Sequence, residues 1–514
     1  MTEDGPRLSS VARRLAATYF TFDPRSLGLF RIVLGAVMFA DLSIRYQEVD
    51  FWFTDEGFFP REALRGLRPP LFSIFLYVST REGAVALMAL CAIVYACFTA
   101  GLATRVAHVL ALVCVVSLNS RVHLLENGGN YVLNLLTTWT LFLPLGRRFS
   151  IDAWLRARRR RKTGKGPAVD LDRPVWSFAV LALLLQFAVI YTLNVLHKTG
   201  PRWEEGSAVH YALQDERMIT AFGVWLRELP YGILQALSHD TLWVESAAVV
   251  LILCPIFTRH ARLAAIVLLP TLHLGFGLCL RLGVFAYAMM SFFPLLLAPE
   301  HWRWLERRPR GRAQATAATG GGEGRRQPIR AVARWALAVP REAAVLLLIA
   351  AAVGDVVNRN PAIPEDWRYR QPKLLSKIIS YPRNHQHWRM YSPDPPELVH
   401  TLAVEARTID GRLVDPYNEV AGRYPSLPES GPMPVRLGYG QLFSAYSYRV
   451  GRSWRPTFRS WILRYPKRTG RREDRVVSFE VYELVARIPP PGSDELDRIV
   501  RVRLLYHPLA PPPN

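Results

Sequence analysis

A helical membrane bundle with a mainly β C-terminal domain is the fold class the sequence predicts, and three observations predict it. Half of the 514 residues are hydrophobic, yet the formal net charge is +22, which suits apolar spans separated by basic loops. Apolar runs of near-span length recur from Leu27 to Val357, and crossing a bilayer takes about 20 mainly apolar residues. Beyond Asn358 these runs give way to alternating apolar and polar residues, the period of half-buried strands.

The runs predict eight or nine spans: Leu27–Ser43, Ala84–Ala103, Val106–Leu118, Tyr131–Leu145, Val175–Leu196, Leu242–Phe257, Leu263–Leu280, Gly283–Leu297 and Ala343–Val357. Val106–Leu118 is short enough to be re-entrant, and Leu71–Ser79 is too short to span and is expected at the interface. Arg7, Arg13 and Arg14 precede the first run, and no small-residue cleavage site follows it. An uncleaved first span is therefore expected rather than a signal peptide.

Arginine and lysine set the orientation. The densest basic stretches, Arg147–Lys165 and Arg307–Arg330, belong on the cytoplasmic side. Nine spans put both of them and the N-terminus on that side, with Lys198 and everything beyond Asn358 facing outward. The predicted organisation is a cytoplasmic segment (1–26), a membrane domain (27–300), a basic linker (301–342) and a last span (343–357). A juxtamembrane segment (358–397) and a β-rich extracytoplasmic domain (398–514) follow. Within the linker, Ala313–Gly324 is flexible by composition. In the last region, Asp410–Gly411 marks a hairpin, and "DRVVSFEVYELVARI" and "DRIVRVRLLYHP" alternate as strands do. The proline-rich end is expected to be loose.

Several chemistries are excluded. Arginines cluster beside apolar runs without interleaved stacking aromatics, which argues against a nucleic-acid partner; membrane lipid is the expected surrounding. Cys91, Cys97, Cys114, Cys254 and Cys279 all lie in apolar segments without a CxxC pair, so neither a disulfide framework nor a zinc site is expected. "HQHW" (His385–Trp388) has no third ligand at useful spacing, and no metal is expected. Serine-elbow, P-loop, H-E-x-x-H and dinucleotide fingerprints are absent.

Polar residues concentrate at one membrane level. Tyr191, Asn194 and Lys198 share a helix face, with His197 beside them and Trp203, Glu204 and Glu205 just beyond. His123, Asn127, Gly128, Gly129, Asn130 and Tyr131 lead into the fourth span on the same side, and Glu245 is near the outer start of the sixth. Each also has a plain structural reading. Lys198 can snorkel with Trp203 as its interfacial anchor. Gly128–Gly129 can serve a turn or a close helix contact, and Asn127 and Asn130 can cap a helix. Tyr191 and Asn194 can hydrogen-bond between helices. Mid-span His273 is costly in lipid and is expected to face the bundle interior, where a neighbouring helix could satisfy it. Arg281 reads as an anchor; Arg31 either snorkels or joins an ion pair.

The stretches "LGLFRIVLGAVMFADL", "FWFTDEGFFP", "NGGNYVLNLLTTWTLFLPLGRRFSID", "LQFAVIYTLNVLHKTGPRWEEGSAVHYAL", "RLAAIVLLPTLHLGFGLCLRLGVFAYAMMSFFPLLL" and "HWRMYSPDPP" span Phe22 to Pro396. In their order and spacing they resemble the HTTM family, the membrane domain shared with vitamin K-dependent γ-carboxylases. The resemblance implies a lysine general base at the spacing of "KTGPRW", which makes Lys198 the catalytic residue, with Trp203 beside it. Tyr191, Asn194, His197, Trp203, Asn127, Gly129, Asn130, Tyr131 and His273 become candidates for a quinone pocket. The implied cosubstrates are reduced vitamin K or a related quinol, O2 and CO2, and the implied acceptor is a glutamate-containing peptide or protein. In the carboxylases the lysine deprotonates the quinol, whose oxygenated form then takes the glutamate γ-proton. Such a lysine needs a lowered pKa, which a dry pocket supplies. Aligned on Asn127 and Tyr131, Gly129 occupies the position of a histidine important for carboxylation. The resemblance therefore carries quinol oxygenation further than glutamate carboxylation. The competing expectation is a non-enzymatic membrane scaffold or assembly factor with a partner-binding outer domain.

Overall fold

The computed structural model describes residues 10–65, 71–164, 173–215, 218–306, 328–418, 455–493 and 499–508. The linker Ala313–Gly324, most of the basic stretch Arg307–Arg330 and the chain beyond Pro508 lie outside them.

The first long apolar run folds as α1 (Pro24–Tyr46), begun by Asp23, whose carboxylate accepts from Arg25 N, with Pro24 in the first turn. Thr80 caps α2 (Arg81–Ala100), and Gly101 at φ +71° ends it. Next come α3 (Thr104–Arg121) and α4 (Gly128–Thr140). They are followed by α5 (Phe178–Leu196), α6 (Tyr231–Leu253) and α7 (Thr258–Cys279). Helices α1 and α2 pack together, and α6 lies between α5 and α7.

Five of these helices, α1, α2, α5, α6 and α7, are long and apolar enough to cross a membrane. The run Gly283–Leu297 does not fold as one span. It breaks into α8 (Phe285–Met290) and a 3₁₀ turn, Phe293–Leu296, because Pro294 has no N–H to continue the helix. The expected span Ala343–Val357 lies within α9 (Pro328–Arg359). Leu71–Ser79 contains a single 3₁₀ turn, Ile74–Tyr77. Arg31 does not snorkel, and among the described residues it forms no ion pair. It is fully buried and donates to three carbonyls, those of Leu145 (3.0 Å), Thr99 (3.3 Å) and Phe149. These carbonyls lie at the ends of the neighbouring segments, where backbone acceptors have no helical partner.

Two residue pairs, β1 (Thr21–Phe22) and β2 (Val175–Trp176), form a small antiparallel ladder. The C-terminal region carries β3 (Leu398–Thr408), β4 (Leu413–Val414), β5 (Val476–Arg487) and β6 (Ile499–His507) in an antiparallel sheet of order β4-β3-β5-β6. The β3–β4 hairpin turns at Gly411, φ +83°, as the Asp-Gly pair predicted. Two helices, Arg455–Leu463 and Tyr465–Thr469, also belong to this region.

The C-terminal region does not stand apart from the bundle. Trp461 and Phe458 pack on Phe51 and Phe58 of the segment after α1, with ring centroids 5.2–5.7 Å apart. Arg464 donates to the carbonyl of Asp55 (2.8 Å) in the same segment. One continuous core joins the two.

Candidate active site

Helix α5 ends at Leu196, and the chain turns sharply. The Gly200 N–H donates to the Pro393 carbonyl (3.1 Å), and Pro201 opens a short helix that brings Trp203 back over the preceding turn. Lys198 is thereby enclosed, at 8 % exposure, and does not snorkel. Its Nζ lies 4.3 Å from the Trp203 ring centroid and 2.5 Å from Glu245 Oε2. Burial pushes the Lys198 pKa below the ordinary lysine value, and the attraction of Glu245 opposes this only in part.

Glu245 comes from α6. It is well inside that helix rather than near its start, because α6 begins at Tyr231. The Asn194 amide donates to both of its oxygens (3.0 Å each), and Asn194 Oδ1 accepts from the Met390 N–H (3.0 Å). Three α5-derived residues predicted to share a face thus do so, and two of them meet the same carboxylate. The third, Tyr191, meets His273 of α7 instead, with its hydroxyl 2.7 Å from Nε2. The His273 ring is flanked by Phe276 and Phe285. His197 turns its Nδ1 to the Trp388 carbonyl (3.0 Å). Among the described residues, His197 Nε2 and His273 Nδ1 are buried without a partner.

The segment Asn384–Asp394 is what sequence reasoning missed. It lies across this cluster and supplies the Trp388, Tyr391 and Pro393 carbonyls to His197, Trp203 and Gly200. Its only signal was "HWRMYSPDPP", which marks kinship but assigns no role. The imidazoles of His385 and His387 within it show no metal constellation; among the described residues no group of three ligands exists.

The Asn-rich entry to α4 does not converge on Lys198. Asn127 accepts from the Gly129 N–H (2.9 Å), while the Asn130 side chain accepts from the Asn127 N–H (3.1 Å), completing a capping box. Asn130 also donates to Asn119 (3.1 Å), which accepts from Arg45 (2.7 Å) and donates to Asn134 (3.0 Å). Arg45 in turn pairs with Asp41 (2.7 Å). These asparagines hold three helices together at one of their ends. Tyr131 packs instead against His385 and the Glu126–Arg383 pair. Gly129 touches the site through its neighbour: a Cβ there would lie 2.5 Å from Phe285 N and 2.6 Å from its Cα. The position excludes any side chain while the α8 backbone stays in place.

The sequence pattern of the HTTM domain matches residues 19–302, more than half of the chain. The chain belongs to the HTTM domain family. This HTTM protein is thus a membrane protein of a family related to the vitamin K-dependent carboxylases. No solved structure matches it. The HTTM match ends before the segment that covers Lys198, and all of α1 to α8 fall within it.

Proposed function

We propose that this HTTM protein is a membrane enzyme acting on a lipid quinol, with Lys198 as its general base. The enclosed Lys198–Glu245 pair carries the reading. A lysine serves as a base only as the free amine, and burial brings that form within reach. Proton uptake then restores the ammonium opposite Glu245, so the carboxylate stabilises the product of the transfer more than its start. Trp203 and Asn194 fix the two partners. The unpaired imidazole nitrogens of His197 and His273 suit the two hydroxyls of a quinol. A bound quinol would supply the oxygen-reactive ring that side chains lack. Gly129, pressed on the Phe285 backbone, leaves no room for the histidine that carboxylation uses, so we place the reaction at quinol oxygenation without glutamate carboxylation. We also infer, from the positions of the basic stretches, that Lys198 and the C-terminal sheet lie on the outer side.

The test supplies purified protein with reduced vitamin K, oxygen, labelled bicarbonate and a glutamate-rich peptide, and uses Lys198→Ala as control. Epoxide without label in the peptide is the expected result. Loss of Lys198 should lower turnover on the order of 10²–10⁴-fold. Equal product from both proteins, or none from either, would sink the reading for these substrates. The scaffold alternative draws on one observation. Edge strand β6 leaves Val500, Val502 and Tyr506 exposed, a surface on which a partner strand could add.

A further inference from the structure

Away from Lys198, the last residue of α3 is a buried cation that the protein leaves unpaired. Arg121 has no exposed surface, and among the described residues its Nε, Nη1 and Nη2 have no hydrogen-bond partner. The Phe53 ring covers the guanidinium, 5.9 Å from centroid to Cζ. Asp55 attracts it electrostatically but is already committed, since both oxygens accept from Arg61 at 2.7–3.1 Å. Glu126, five residues on, is held by Arg383 in the same way. Each of those carboxylates is neutralised by its own arginine, and Arg121 is left with a charge of +1. The adjacent Ser120 Oγ is also buried without a partner among the described residues.

A buried ion without a counter-charge is among the most unfavourable groups in a protein interior. Snorkelling could relieve it, but Arg121 reaches no surface. Pairing could relieve it, but among the described residues Asp55, the acid that attracts it, is occupied. A bound anion remains. The guanidinium presents parallel N–H groups in a plane, which match the two oxygens of a carboxylate. A single positive charge under an aromatic cover favours a monoanion over sulfate or a phosphate dianion.

We infer that Arg121, roofed by Phe53, anchors a binding site for a small carboxylate-type monoanion, of which bicarbonate and acetate are the simplest members. The site is distinct from Lys198 and Glu245 and does not rest on the quinol reaction.

The test measures thermal unfolding of the full chain in lipid nanodiscs at fixed pH and ionic strength, exchanging chloride for acetate, bicarbonate or sulfate. Acetate and bicarbonate should raise Tm saturably, by several degrees, whereas sulfate should match chloride. Arg121→Gln should abolish the saturable rise, and Arg121→Lys should weaken it, because an ammonium cannot hold both oxygens. Should the substituted chains fail to fold, the wild type with ¹³C-acetate gives an independent reading. A shifted carboxylate infrared band that excess bicarbonate displaces supports the site. The inference is overturned if wild type and Arg121→Gln respond alike, if chloride equals acetate, or if no shifted band is seen.

Discussion

At Lys198, burial and Glu245 act on the same ammonium in opposite directions, and the pH profile should show it. Burial lowers the pKa and Glu245 raises it, so the rising limb of the turnover profile should begin below the ordinary lysine range. Glu245→Gln removes the raising influence, which moves that limb to still lower pH and makes the amine a weaker base. Maximal turnover should therefore fall in that variant. A profile unmoved by Glu245→Gln would show that the titrating base is elsewhere. Gly129 gives a second residue-level expectation. Gly129→His must displace the Phe285 backbone and should cost about 1–3 kcal/mol or more, read as a drop in Tm. It should not restore carboxylation. Lys198 was singled out in the sequence by its short spacing to Trp203, and the structure buries it beneath that ring. Glu245 was visible as an acid in an apolar run, but not as its partner, since 47 residues separate them and only the packing of α5 on α6 joins them.

At the scale of elements, the Asn-rich entry to α4 is structural machinery. The capping box satisfies N–H groups that the first helical turn cannot, and the wider asparagine network fixes α1, α3 and α4 at one level. Asn130→Ala should destabilise the fold by about 1 kcal/mol or more through the lost cap, as seen in thermal unfolding. It should leave the Lys198-dependent pH limb where it was. A shifted limb would mean that this network does reach the base. The residue types alone allowed both capping and a ligand cradle here, and direction decided it: these amides point at their own backbone and at Arg45. The largely apolar length of Gly283–Leu297 predicts a single span and hides the break between α8 and the following 3₁₀ turn, for which Pro294 was the cue.

Across the whole molecule, the C-terminal sheet was anticipated from its alternation and its Asp-Gly turn. Its attachment was not. Trp461 and Phe458 come from a helical stretch between the strands, and their rings seat on Phe51 and Phe58 some 400 residues earlier in the chain. No local pattern encodes a contact at that separation. Trp461→Ala should cost about 3–5 kcal/mol, and it should loosen both regions in one cooperative transition. Two separate transitions, with only the C-terminal one shifted, would show that the regions fold independently.

The covering segment Asn384–Asp394 bears on how this protein can diverge. The recognisable domain ends at residue 302, yet carbonyls from beyond that boundary orient His197 and hold Trp203 over Lys198. Two relatives could therefore keep identical membrane helices and still differ in how the buried lysine is enclosed, through changes in a stretch beyond the matched domain. The helices that carry Lys198 and the segment that covers it are written in different parts of the chain.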